Sequence, residues 1–109
     1  MVTLKNPDDA ARKVESAQII KLSEAIRLGS KLRPQCFGVF ISDVGSCALA
    51  AAYEAVFGER INDVRFAVRS LSERFNIHDD QLFEIIISHN DHSKWTGERI
   101  AEWVEYQNL

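Results

Sequence analysis

The sequence predicts a mainly α-helical protein: one compact domain of four to five helices packed around a central alanine-rich helix, with a short strand or β-hairpin near 36–46. Three observations predict it. Residues 46–57 read S-C-A-L-A-A-A-Y-E-A-V-F, apolar on every face apart from Glu54, and a helix without a polar face belongs inside the fold. Val64, Val68, Leu71 and Phe75 recur at the spacing of a one-sided helical stripe. The 109-residue chain is 46% hydrophobic and 27% charged, which suits one domain with a genuine core.

In chain order, Asn6-Pro7-Asp8-Asp9 is a helix start, with a capping Asn, a proline suited to the first turn and two acids at the positive dipole end. The weakly apolar residues that follow make 1–16 a peripheral N-terminal helix or arm and leave 17–109 as the single helical domain. Gln18 to Leu22 reads equally as helix or short strand. Ser23 is the expected N-cap of the next helix, Gly29 its terminator, and Pro34 opposes continuation.

Gln35 to Ile41 has the aromatic and β-branched content of a short strand, followed by a turn over Ser42-Asp43-Val44-Gly45. The central helix comes next, bracketed by Gly45 and Gly58. Its alanines 48, 50, 51 and 52 let neighbours approach, while Leu49, Tyr53, Val56 and Phe57 fill the larger gaps. Asn62 or Asp63 caps the striped helix, and Asn76 ends it in a left-handed conformation. Asp79-Asp80 opens another helix, whose Leu82, Phe83, Ile85, Ile86 and Ile87 are expected mostly buried. Asn90-Asp91 closes it, Asn90 by tolerating positive φ and Asp91 by accepting backbone N–H groups of the following loop. Thr96 caps a last helix with Ile100, Trp103, Val104 and Gln107 on one side and Glu98, Glu102 and Glu105 facing water.

The net charge of −3 is unevenly distributed: +3 over residues 1–35, −1 over 36–75 and −5 over 76–109. Such polarity can draw the two ends together within one fold, or between two copies. No apolar run reaches the roughly 20 residues of a membrane span. The N-terminus has no long apolar stretch of a secretory signal, and the two cysteines, Cys36 and Cys47, form no C-x-x-C. The expectation is therefore a cytoplasmic protein with reduced thiols acting as small hydrophobes.

The nearest approach to a chemical cluster is His89-Asn90-Asp91-His92. Two imidazoles and a carboxylate suit zinc or iron, with His78 as a distant third nitrogen. Against that, Asn90 and Asp91 already have structural work at a helix end. Cys36, Cys47, His89 and Asp91 include the residue types of a nucleophilic site without a signature that joins them. Gly38, Gly45 and Gly58 form neither a dinucleotide fingerprint nor a phosphate loop. Arg60, Arg65, Arg69 and Arg74 would form a basic face, but Glu59, Asp63 and Glu73 are interleaved with them. As a recognition helix, the segment opened by Asp79-Asp80 carries the wrong charge for DNA. No residue set is assigned as catalytic, cofactor-binding or metal-ligating.

Three readings of function follow. The leading one is a non-enzymatic protein-interaction or regulatory domain that binds a protein partner or self-associates. The others are a small-molecule or metal-binding enzyme using His89, Asp91 and His92, and a nucleic-acid-associated protein acting through the arginines.

Three pieces of the chain resemble a group of small uncharacterised bacterial proteins. They are Leu22-Ser23-Glu24-Ala25-Ile26-Arg27-Leu28-Gly29 with Arg33-Pro34-Gln35-Cys36-Phe37-Gly38, then Gly45 to Ala52, then His89-Asn90-Asp91 with Trp95-Thr96-Gly97-Glu98-Arg99-Ile100-Ala101-Glu102-Trp103-Val104. In that group a glycine usually stands where Ala50 stands here. A broader set of bacterial domains with a cysteine-led small-residue helix and a late Asn-Asp pair is more distantly similar. The resemblance implies a self-contained bacterial cytosolic domain and carries over no functional residue.

Overall fold

The computed structural model describes Ile19 and residues 21–109. The helix start at Asn6–Asp9 and the arm over 1–16 lie outside the described residues. The described chain forms α1 (Leu22–Ser30), α2 (Ala48–Phe57), α3 (Val64–Phe75), α4 (Asp79–Glu84) with a π-helical continuation over Ile85–His92, and α5 (Gly97–Tyr106). The mainly helical class is as the sequence predicts, and none of these helices is long and apolar enough to cross a membrane.

Helix α2 is the axis of the core: Ala48, Leu49, Ala50, Ala51, Ala52 and Tyr53 are all buried. Gly58 stops it at φ 77°. Phe57 departs from expectation, standing 42% exposed on the final turn against the Tyr53 ring.

Helix α1 packs most extensively on α2 and next on α5. Two glycines set these distances. A Cβ on Gly29 would lie 2.0 Å from the Ala51 carbonyl oxygen, and one on Gly97 would lie 2.1 Å from Ser30 Oγ. Gly29 is thus a close-approach residue inside α1, not the terminator. Ser23 is not the N-cap either. Lys21 occupies that position, because complete burial of Leu22 draws it into the first turn and Ser23 with it.

At the α1–α5 contact, Arg27 Nε donates to both oxygens of Glu98 at 2.9 and 3.1 Å, and Arg27 also pairs with Glu105. Here the basic and acidic ends of the sequence meet within one fold.

Helix α3 begins at Asp63, whose carboxylate accepts the Phe66 N–H at 3.0 Å, and ends at Asn76 with φ 56°. Val68 and Leu71 of its stripe are fully buried; Val64 and Phe75, at the ends, are half-buried. Helix α4 opens on a reciprocal cap. His78 Nδ1 accepts the Asp80 N–H, and Gln81 Oε1 accepts the His78 N–H. Ile85 and Ile86 are buried, whereas Ile87 is 61% exposed.

The segment over 35–46 folds back as an irregular loop. Ser46 forms isolated bridges to Gln35 (parallel) and Ile41 (antiparallel), and no longer ladder develops. Gly38 at φ 79° turns the chain out of the strand region. Arg60 holds the loop from outside, Nη2 donating to the carbonyls of Ser42 and Gly45.

Candidate functional site

The π-helical segment decides what the late Asn-Asp pair does. Asn90 was expected to end the helix at positive φ. The helix instead runs on to His92, and Lys94 takes the left-handed conformation at φ 54°. The cause is the wider π turn, marked by the Ser93 N–H donating to Ser88 O at 2.9 Å. It directs Asn90 inward, beneath the start of α2, where the side chain is completely buried.

There Asn90 Oδ1 accepts from Gln35 Nε2 at 2.8 Å and from the Ala48 N–H at 3.0 Å. Its Nδ2 donates to Cys36 O at 3.0 Å and to Asp91 Oδ1 at 2.7 Å. Cys47, the N-cap of α2, makes no side-chain capping bond, so Asn90 supplies that cap from 42 residues away. Gln35 extends the network: its Nε2 also donates to Trp95 O, and its Oε1 accepts the Gly97 N–H at the start of α5. Asp91 Oδ1 accepts the Gly38 N–H at 2.9 Å. Its carboxylate therefore anchors the 35–46 loop instead of the loop before α5. Gln35, read in the sequence only as the start of a strand and as part of a resembling motif, thus joins Asn90 in stitching two helix starts to one loop.

His89 and His92 do not join Asp91 in a ligand set. The His89 ring stacks on Trp95 at 4.4 Å with planes 9° apart and meets Trp103 at 4.3 Å. Burial lowers its pKa from the ordinary histidine value, against a weaker opposing pull from Glu84. His89 Nε2 is sequestered without a hydrogen-bond partner among the described residues. His92 is exposed at the segment's end, and His78 is committed to its cap. Among the described residues, no three His, Cys, Asp or Glu side chains converge as metal ligands.

Cys47 is fully buried, and burial pushes its thiol up to about 12 against the opposing pull of the Ala50 and Leu49 amides. Cys36 is half-buried.

The four arginines do not form one face. Arg60 clamps the 35–46 loop, and Arg74 donates to Ile19 O at 2.5 Å and lies over the Phe75 ring. Arg65 and Arg69 remain exposed on α3. They line an open depression between α3 and α4, together with Asp63, Phe66, Asp79 and Phe83. Phe66 is 54% exposed. The buried Tyr53 ring lies 4.6 Å from the exposed Phe57 and 6.5 Å from Phe66, ring centre to ring centre, so the two exposed rings rest on either side of one core aromatic. A signal for this face existed in the sequence, since Phe66 falls off the Val64–Val68–Leu71–Phe75 stripe.

No protein-family model matches the chain, and neither a curated protein nor a solved structure does. The site is therefore read from its own chemistry: an internal polar junction, and an aromatic outer face bearing charges of both signs.

Proposed function

We propose that this protein is a non-enzymatic interaction domain and that it self-associates through the α3 face. The observation that carries the reading is Phe66, a large aromatic 54% exposed on α3, in an open depression that it shares with Asp63 and Asp79 and with Arg65 and Arg69. A large exposed aromatic among charges of both signs suits a protein interface. A face carrying both charge signs is self-complementary under a two-fold axis, which sets the arginines of one copy against the aspartates of the other. With Arg60 and Arg74 committed to backbone carbonyls, only Arg65 and Arg69 of the four arginines stay free on α3 among the described residues, which favours this reading over a nucleic-acid surface built on that set. Among the described residues His89, Asp91 and His92 form no shared ligand set, which favours the interaction reading over the metal-enzyme one. The same proposal places the chain in a bacterial cytoplasm, with the small proteins it resembles; its two free thiols suit a reducing compartment.

Light scattering across a concentration series tests this. The native chain is expected to dimerise, and Phe66→Glu and Arg69→Glu to remain monomeric with unchanged circular dichroism. A native chain that is monomeric throughout refutes self-association. A dimer indifferent to both substitutions refutes the face.

A further inference from the structure

Cys36 and Cys47 are brought together by the one parallel bridge of the 35–46 loop. The Cys36 N–H donates to Ser46 O at 3.1 Å, and the Ser46 N–H donates to Pro34 O at 2.9 Å. That pairing sets Gln35 beside Ser46 and makes Cys36 and Cys47 the next residues along the two segments. Parallel neighbours in such a pairing stand about 5 Å apart between backbones, inside the range a disulfide spans.

Two further contacts locate the side chains. The Cys36 Cβ would lie 3.3 Å from a Cβ on Gly45. Residues 45 and 47 alternate to the same side of an extended segment, so Cys36 is on the side that Cys47 faces. Both cysteines also approach a single carbonyl: Phe40 O accepts the Cys47 N–H at 2.9 Å and lies 3.9 Å from Cys36 Sγ. Cys36 is reachable from solvent, whereas Cys47 is not.

We propose that Cys36 and Cys47 form a reversible disulfide, with Cys36 as the attacking thiol and Cys47 as the resolving one, the oxidant being a small-molecule disulfide of the glutathione type. In the first step Cys36 gives up its proton and its sulfur attacks one sulfur of the oxidant. The oxidant's S–S bond breaks, one thiol leaves carrying that proton, and a mixed disulfide remains on Cys36. In the second step Cys47 gives up its proton and attacks Cys36 Sγ. The mixed disulfide breaks, and the second small thiol departs protonated. Two protein thiols are oxidised and one small disulfide is reduced to two thiols. The bond closes the loop that carries the exposed Phe37, Val39 and Val44, and ties its base to the start of α2. The high affinity of Cys47 for its proton makes the second step the slow one, accelerated as pH rises.

The test is intact-mass spectrometry of the native, folded chain incubated with oxidised glutathione. The native chain is expected to lose the two thiol hydrogens and retain no glutathione. Cys47→Ser is expected to stop at a glutathione adduct on Cys36, and Cys36→Ser to stay unmodified until urea is added. A native chain that keeps the adduct on Cys36 with Cys47 free, that couples two chains through Cys36, or that reacts only when unfolded overturns the proposal.

Discussion

Replacing Asn90 with alanine tests the polar junction directly. The side chain is fully buried and makes four hydrogen bonds. Gln35 and Asp91 keep other partners when it is lost, through Trp95 O and the Gly38 N–H. The Ala48 N–H and the Cys36 carbonyl are left with none of the bonds described here. A buried polar group stripped of its partner costs about 1–3 kcal/mol, so two such groups put the loss at about 3 kcal/mol, before any void left by the amide. That is a large fraction of the about 5–15 kcal/mol that holds a domain together, and it lowers the melting midpoint by about 12–15 °C in a chain of this size. Urea denaturation measures the free energy, and amide exchange at Ala48 reports the lost cap. Asn90→Asp is the paired control. It retains an acceptor for the Ala48 N–H but sets a second carboxylate against Asp91, so the fold is weakened while that amide stays protected. An Asn90→Ala protein within about 1 kcal/mol of the native chain, or an Ala48 amide that exchanges no faster, refutes the assignment of Asn90 as a long-range cap.

Two further outcomes follow from the packing. Gly29→Ala, which in an exposed helix interior gains about 1 kcal/mol, is expected here to lose about 2–3 kcal/mol, since the new methyl meets the Ala51 carbonyl; a stabilised variant in thermal denaturation refutes the close α1–α2 crossing. His89 resists protonation in the folded chain, because burial between Trp95 and Trp103 disfavours its charge. The unfolded chain therefore takes the proton first as pH falls, and this contribution to stability is complete above the ordinary histidine value of 6.5 and declines as pH drops below it. His89→Phe retains the stack and removes that decline; identical pH–stability curves for variant and native protein refute the assignment.

What the sequence determined by itself is local. An alanine-rich run with no polar face can only be interior, and Ala48 to Tyr53 are so. Asp63, Asn76 and Thr96 cap because their side chains or backbone freedom act within a few residues, and each does so in the structure. The tertiary structure decided everything that joins distant segments. The inward turn of Asn90 needs the π register, and three of its four partners lie 42 to 55 residues away, beyond any periodicity. The exposure of Phe57 depends on how far the neighbouring helices reach, and the role of Gly29 on how closely α1 crosses α2. His89 is defined by two indoles, Trp95 just before the cap of α5 and Trp103 on that helix, and not by the nearby acid and imidazole that suggested a metal. Hydrophobic pattern records whether a residue prefers water or core on average. Which polar groups meet inside that core is set by the geometry of crossing helices, and that geometry is a property of the assembled chain.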